Sequence, residues 1–338
     1  MANCENKKVI LDALGGDNGI DLVLSAASEA LKKNPQLELV IVGDAEIIAK
    51  KMEAFKNRIE IIHTTENIGF NDKPVEAIRQ KTNSSIVLAL DALKTRDDCG
   101  VLISAGSTGA LLTGAFMKLG RVEGVSRPAL CCKMPTIDHN KRYYICDCGA
   151  NMDSKPQNLL HFALMADEYL RALGFENPKI ALLNVGTEEE KGNELTHETY
   201  KLLTEEKAHG LNFIGNVEAR DLHLGVCDAV ICDGFAGNVM LKSIEGASKH
   251  VAEELKNSIA GVSVILGKLI LARRLFKLKK RMKDEAAEAA LFLGVKKPVM
   301  KAHGNANTDA IRNGILYAAR VANMGLNEKI AKRVKTNS

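Results

Sequence analysis

Repeatedly along the chain, a short aliphatic run ends in a polar, glycine-bearing turn and then passes into an amphipathic stretch. The pattern appears in "KKVILDALGGDNG", "LELVIVGDAEIIAKKM", "GVLISAGSTGALLTGA" and "YYICDCGANMDSKPQNLL". It returns in "KIALLNVGTEEEKGNELT", "DAVICDGFAGNVMLKSIEG" and "PVMKAHGNANTDAIRNG". Continuous apolar strands alternating with helices predict an α/β fold with a mostly parallel sheet, because such strands are buried on both faces. Leu159, Phe162, Ala163, Ala166 and Leu170 recur at three-and-four spacing, which marks the buried face of one such helix. In open parallel sheets ligands bind outside the carboxyl ends of strands. The polar turns stand at those ends, so they are expected to converge on one site.

Two stretches depart from the alternation. Residues 121–145 read as an irregular excursion containing an antiparallel hairpin, and residues 246–283 as a helical insertion of two successive helices. No Pro- or Ser-rich linker divides the chain, which predicts a single α/β domain over residues 1–338.

Composition narrows the function classes. Hydrophobic residues make up 46% and charged residues 26%, as in ordinary soluble proteins. A net charge of +4, without aromatic and basic interleaving or zinc-finger spacing, argues against nucleic acid. The cysteines do not show paired C-x-x-C spacing and sit in or beside apolar runs, so they are expected to be reduced thiols with no metal. The amino terminus lacks an apolar signal core and no apolar run reaches membrane-spanning length, which points to the cytoplasm.

The turns supply the candidate chemistry. In "LDALGGDNG", Gly15 and Gly16 let backbone approach an anion, with Asp12 and Asp17 alongside; equally, this is a tight turn with Asp17 capping a helix. Ser107, Thr108 and Gly109 form a hydroxyl-bearing bend suited to phosphate, or an ordinary helix cap. Asp147, Asn151 and Lys155 precede a helix that should start near Pro156. Asp153 alone accompanies Asp147, too few carboxylates for a metal site. Asp233, Asn238 and Lys242 follow another strand, the last two on one helical face. His303 and Asn305 close the series; His303 is a candidate acid/base group or phosphate donor. Asn184 ends a strand, and Lys191 and Asn193 follow three glutamates, where Thr187 and Glu190 have the spacing of a capping box.

Residues 261–268 mimic a Walker A loop but have one residue too many and Leu269 where a hydroxyl is needed. No G-x-S-x-G elbow is present. Residues 261–283 hold eight lysines or arginines and no acids, with Val264, Leu271, Leu275, Leu278 and Met282 as an apolar stripe. Arg273, Lys277 and Lys280 lie on a different face. A basic amphipathic helix of this kind suits an anionic membrane surface or a dimer partner.

Taken in order, "LDALGGDNG", "SAGSTGALLTGAFMKLGRVEGVSRPAL", "CDCGANMDSKPQNLL", "NVGTEEEKGNELT", "NFIGNVEARD", "CDGFAGNVMLKSIEG" and "KAHGNANTDAI" resemble the bacterial phosphate acyltransferases of phospholipid synthesis. The resemblance covers the chain from Val9 to Ala322, departing from the family pattern at Asn305-Ala306 and at Gly19-Ile20. It implies a three-layer α/β/α fold akin to phosphate acetyltransferases and isocitrate/isopropylmalate dehydrogenases. It also implies a homodimer peripherally associated with the membrane, needing no metal or organic cofactor. The implied reaction takes acyl-acyl carrier protein and inorganic phosphate to acyl phosphate, which feeds a glycerol-3-phosphate acyltransferase.

Phosphate is itself the nucleophile, so the site needs positioning and charge stabilisation rather than a Ser or Cys nucleophile. Ser107, Thr108, Lys155 and Lys191 are expected to hold phosphate, and Asn151, Asn184 and Asn238 to orient the acyl carbonyl, with His303 nearby. The competing readings are a phosphate acetyl- or butyryltransferase using acyl-coenzyme A, an oxidoreductase of the same fold, and a non-catalytic anion-binding scaffold at the membrane. The lack of a compact Asp cluster disfavours the oxidoreductase.

Overall fold

The computed structural model describes residues 6–258 and 289–335 of the 338-residue chain. The apolar runs become strands β1 (Lys8–Asp12), β2 (Leu39–Gly43), β3 (Ile59–His63), β4 (Cys99–Ser104), β5 (Ala129–Pro135) and β6 (Arg142–Cys146). Five more follow: β7 (Ile180–Asn184), β8 (Phe213–Glu218), β9 (Ala229–Ile231), β10 (Ala290–Leu293) and β11 (Val299–Lys301). All lie in one sheet of order β3-β2-β1-β4-β11-β10-β5-β6-β9-β7-β8.

Alternation along the strands feeds two apolar layers. Val9 and Leu11 of β1 pack to one side, with α1 (Gly19–Lys33), α6 (Pro156–Ala172), α9 (Thr308–Val321) and α10 (Leu326–Lys335). Ile10 packs to the other, with α3 (Pro74–Gln80), α4 (Ser85–Thr95), α5 (Thr108–Gly114) and Met240 of α8 (Gly234–Ser258). The result is a helix–sheet–helix sandwich, as the apolar runs imply. All five residues of the 159–170 stripe are buried in α6, which begins at Pro156. The remaining helices are α2 (Ala45–Met52) and α7 (Glu194–Glu205).

The hairpin expected within residues 121–145 is real: β5 and β6 pair antiparallel, Cys131 opposite Cys146. It has a consequence that the alternating pattern does not reveal. Strands β2, β1, β4 and β11 run parallel, β10 is antiparallel to β11 and to β5, and β6 is antiparallel to β5. Strands β9 and β7 follow the direction of β6. The two parallel blocks therefore point opposite ways, and their carboxyl ends lie at opposite edges of the sheet. A single convergence of all the polar turns within one chain is corrected accordingly.

Two local expectations also change. Helix α7 starts at Glu194, capped by Asn193, whose side chain accepts from Thr196 N–H while Thr196 answers the Asn193 N–H; Thr187 and Glu190 do not cap it. The cap position of α1 is Asn18, not Asp17. Helix α8 starts before residue 246 and runs unbroken to Ser258. The second helix of the insertion, with its apolar stripe and basic face at 261–283, lies outside the described residues.

Candidate functional site

At one edge the turns after β1, β4 and β11 interlock. Ser104 Oγ donates to Asp12 Oδ2 at 2.6 Å and accepts from Gly106 N–H at 3.0 Å. Asp12 Oδ1 accepts from the N–H groups of Leu14 and Gly15. Burial pushes the Asp12 carboxyl up, against these hydrogen bonds. Asp17 N–H donates to Gly304 O at 2.9 Å, and Asn18 Nδ2 to Ala306 O at 2.9 Å. Gly16 sits at φ +94°, and a Cβ there would stand 3.0 Å from Gly304 O, so this seam requires glycine. Ser107 caps α5 by accepting from Ala110 N–H.

Beside this edge opens a cavity of about 830 Å³. Its mouth carries Asp17, Thr108, Gly109, Lys242, Lys301, His303 and Asn305. Leu112, Leu130, Met134, Leu241 and Ile244 give it apolar walls, and Cys148, Gly149 and Asn238 line it as well. Helix α8 runs along it, and from Asn238 to Glu245 the rise is about 10 Å at roughly 1.5 Å per residue. Asn238 and Lys242 do share a face, as their spacing predicts.

Lys301 was not among the sequence candidates. It ends β11 opposite Ser104, on the cavity side of the strand. Its Nζ donates to the Ala105 and Ala302 carbonyls, and among the described residues it forms no ion pair. Burial lowers its pKa to about 8, opposed by Asp17 and Asp12 and assisted by Lys242. In the sequence Lys301 is only one more polar residue where an apolar run meets its turn, and the burial that distinguishes it comes from the fold.

The other edge gathers the turns after β6, β9 and β7. Asp147 is buried and accepts from the N–H groups of Leu130, Gly149, Ala150 and Asn151 and from Asn151 Nδ2. Burial raises its pKa against those bonds. Asn151 Nδ2 also donates to Pro128 O. Asp12, Asp147 and Asn151 thus brace loops rather than present free groups. Asp233 Oδ1 accepts from Ala236 N–H at the start of α8. Gly237 lets α8 approach: a Cβ would stand 1.9 Å from Asp147 O.

Asn184 Nδ2 donates to Lys191 O and its Oδ1 accepts from Val185 N–H, pinning an exposed turn, while Lys155 N–H donates to Asn158 Oδ1 at the head of α6. Neither Lys155, Asn184, Lys191 nor Asn193 lines the cavity; Thr108, Gly109, Asn238, Lys242, His303, Asn305 and Asp17 do. Among the described residues no cluster of His, Cys, Asp and Glu has the form of a metal site. Most of the described thiols are buried and all are unpaired.

A cavity with apolar walls that is also lined by Lys242, Lys301, His303 and Asn305 suits an acyl chain joined to a polar reacting centre. Comparison with known proteins agrees. The profile of a family described as "Fatty acid synthesis protein" matches residues 7–329. A phosphate acyltransferase of Brevibacillus brevis is 41% identical over 334 residues, covering 98% of both chains. One of Clostridioides difficile is 43% identical over 313 residues, covering 91% of this chain and 90% of its own. Among solved structures, a phosphotransacetylase from Streptococcus pyogenes covers 94% of each chain with a TM-score of 0.62 at 17% identity. A 4-hydroxythreonine-4-phosphate dehydrogenase from Klebsiella pneumoniae covers 95% of this chain and 99% of its own, with a TM-score of 0.53 at 12% identity. These distant structures establish the shared fold, and the near full-length relatives establish the family: the chain belongs to the phosphate acyltransferases, enzymes of acyl transfer in fatty acid and phospholipid synthesis.

Proposed function

We propose that the protein transfers a long acyl group from an acyl-carrier-protein thioester to inorganic phosphate, without a covalent enzyme intermediate. The carrying observation is the cavity: an apolar length along α8 that opens at Thr108, Asn305, His303 and Lys301. The acyl chain lies against Leu112, Leu130, Met134, Leu241 and Ile244, where each buried methylene contributes about 0.8 kcal/mol. The thioester carbonyl then sits at the mouth, and phosphate attacks it among the polar groups. Phosphate is anionic at neutral pH, so no side chain need become a nucleophile, and donors fixed around the developing oxyanion lower the barrier. Thr108, Asn305 and His303 are assigned to that task, and Asn238 to the chain-binding length.

The buried thiols support this assignment. Cys148 lines the cavity, but burial pushes its pKa well up, the opposite of what a nucleophilic cysteine needs. The acyl phosphate product is expected to feed an acyltransferase acting on glycerol 3-phosphate. The protein is assigned to the cytoplasmic face of the membrane as a homodimer, with 261–283 as the membrane-contacting segment because of its basic, amphipathic sequence.

One assay tests the substrate: palmitoyl-carrier protein against acetyl-coenzyme A, each with phosphate, following acyl phosphate release. Preference for acetyl-coenzyme A would replace this function with a short-chain phosphotransacylase. Flotation with anionic liposomes of a variant with Leu271, Leu275 and Leu278 changed to polar residues tests membrane contact; unchanged flotation would reject it.

A further inference from the structure

We propose that Lys301 relays a proton from the attacking phosphate to the departing thiolate, acting as a catalytic residue as well as the cation that holds the phosphate. The relay rests on the acyl-transfer chemistry proposed above.

The reaction has a proton to move. Hydrogen phosphate dianion forms a P–O–C bond to the acyl carbon, and the C–S bond breaks. The acyl phosphate leaves as a dianion and the carrier as a neutral thiol, so the proton that begins on phosphate ends on sulfur. No proton is taken from solvent overall, and no oxidant or further reactant is needed. A group between the two atoms that gives a proton to sulfur and takes one from phosphate completes the balance.

Lys301 has the geometry for it. It stands at the end of β11, opposite Ser104, and lines the cavity. It is held there by the Ala105 and Ala302 carbonyls, leaving further donor capacity for a ligand. A lysine tied to a carboxylate would be locked as a cation, and Lys301 is not. Asp12 faces it from β1 but is occupied by Ser104 and backbone N–H groups; Asp17 faces it from the following loop. Lys242 faces it from α8 and is paired with Glu245, which also bonds His303. His303 is thus engaged with Glu245, whereas Lys301 contacts only backbone carbonyls among the described residues. Its pKa of about 8, set by burial, lies near that of an alkyl thiol, about 8.5 for cysteine, the match that proton transfer between them favours.

The test separates charge from proton transfer. Lys301→Arg keeps the charge but cannot give up a proton near neutral pH. It is expected to leave the phosphate KM within a few-fold while lowering kcat by about 10²-fold with palmitoyl-carrier protein. The alkaline limb of the rate profile near pH 8 should disappear. A palmitoyl thioester of an acidic aryl thiol, whose thiolate needs no proton, should restore most of that loss. Lys301→Gln should lose phosphate affinity too, and the aryl thioester should not restore it. Melting curves confirm that both variants fold. If Lys301→Arg keeps wild-type kcat and pH profile, or the aryl thioester gives no recovery, the relay is refuted. If the wild-type protein forms no acyl phosphate from palmitoyl-carrier protein, the proposed function itself has failed, and the comparison is repeated on acetyl-coenzyme A.

Discussion

His303 Nε2 lies 3.1 Å from Glu245 Oε1, joining the turn after β11 to α8 across the cavity mouth. Glu245 also holds Lys242 at 2.9 Å, so one carboxylate links two of the polar groups named from sequence. Burial works to raise the Glu245 carboxyl, but Lys242 and His303 outweigh it and hold the pKa below the ordinary value of 4.5. Its stabilising contribution is therefore present above pH 4.5 and is lost as pH falls through the lower folded value. Glu245→Gln should cost at most about 1 kcal/mol at pH 7, in keeping with a partly exposed ion pair. Urea midpoints of the two proteins should draw together below pH 4.5. A difference that grows on acidification would contradict the assignment.

The cavity makes a prediction about chain length. Leu112 borders it on α5, so Leu112→Trp fills part of the volume. Each methylene excluded should cost about 0.8 kcal/mol, roughly fourfold in affinity per carbon. Competition between acyl-carrier proteins of graded length should show the optimum moving to shorter chains, with turnover of short chains kept. An unchanged optimum would place the acyl group elsewhere.

The opposed strand blocks separate two groups of candidates that the sequence treated as one. Thr108→Val at the mouth should raise the barrier by up to about 2.7–4 kcal/mol if its hydroxyl meets the developing oxyanion. Lys191→Ala, on an exposed turn that does not line the cavity, should change kcat/KM less than about threefold, since solvent and salt screen an exposed cation. Equal damage from Lys191→Ala would mean that a second copy supplies that turn to the site.

Much of this fold was legible in the sequence. The run-turn-helix alternation defines the strands and helices, and the stripe on α6 is buried as its spacing requires. Strand direction was not legible, because a buried strand carries the same apolar run whichever way it points. The reversal depends on two hairpins contiguous in sequence, β5–β6 and β10–β11, and on the antiparallel pairing of β10 with β5, which joins strands far apart in the chain. Polar residues in the turns were legible as a class, but not their division of labour. Asp12 and Asp147 look like ligand groups from composition, yet Asp12 spends its oxygens on backbone N–H groups and the Ser104 hydroxyl, and Asp147 on backbone N–H groups and the Asn151 amide. Lys301 was hidden for the opposite reason: burial at a strand end marks it, and burial is a tertiary property.

That burial predicts a conflict between stability and activity. Lys301 falls from its ordinary 10.5 to about 8 in the folded protein, and each tenfold change in protonation is worth about 1.4 kcal/mol. Below pH 8 the group is charged in both states, and its burial opposes folding by up to about 3 kcal/mol. Between pH 8 and 10.5 the unfolded chain binds the extra proton, so the wild-type protein gains stability as pH rises. Lys301→Met removes the charge and should be the more stable protein at pH 7, with the advantage shrinking towards pH 10.5. The same variant should lose acyl phosphate formation, as expected where a site holds a group at the expense of the fold. Urea unfolding at pH 7, 8.5 and 10 measures the first effect. A variant less stable than wild type at every pH would show that Lys301 is a structural tie for the Ala105 and Ala302 carbonyls instead.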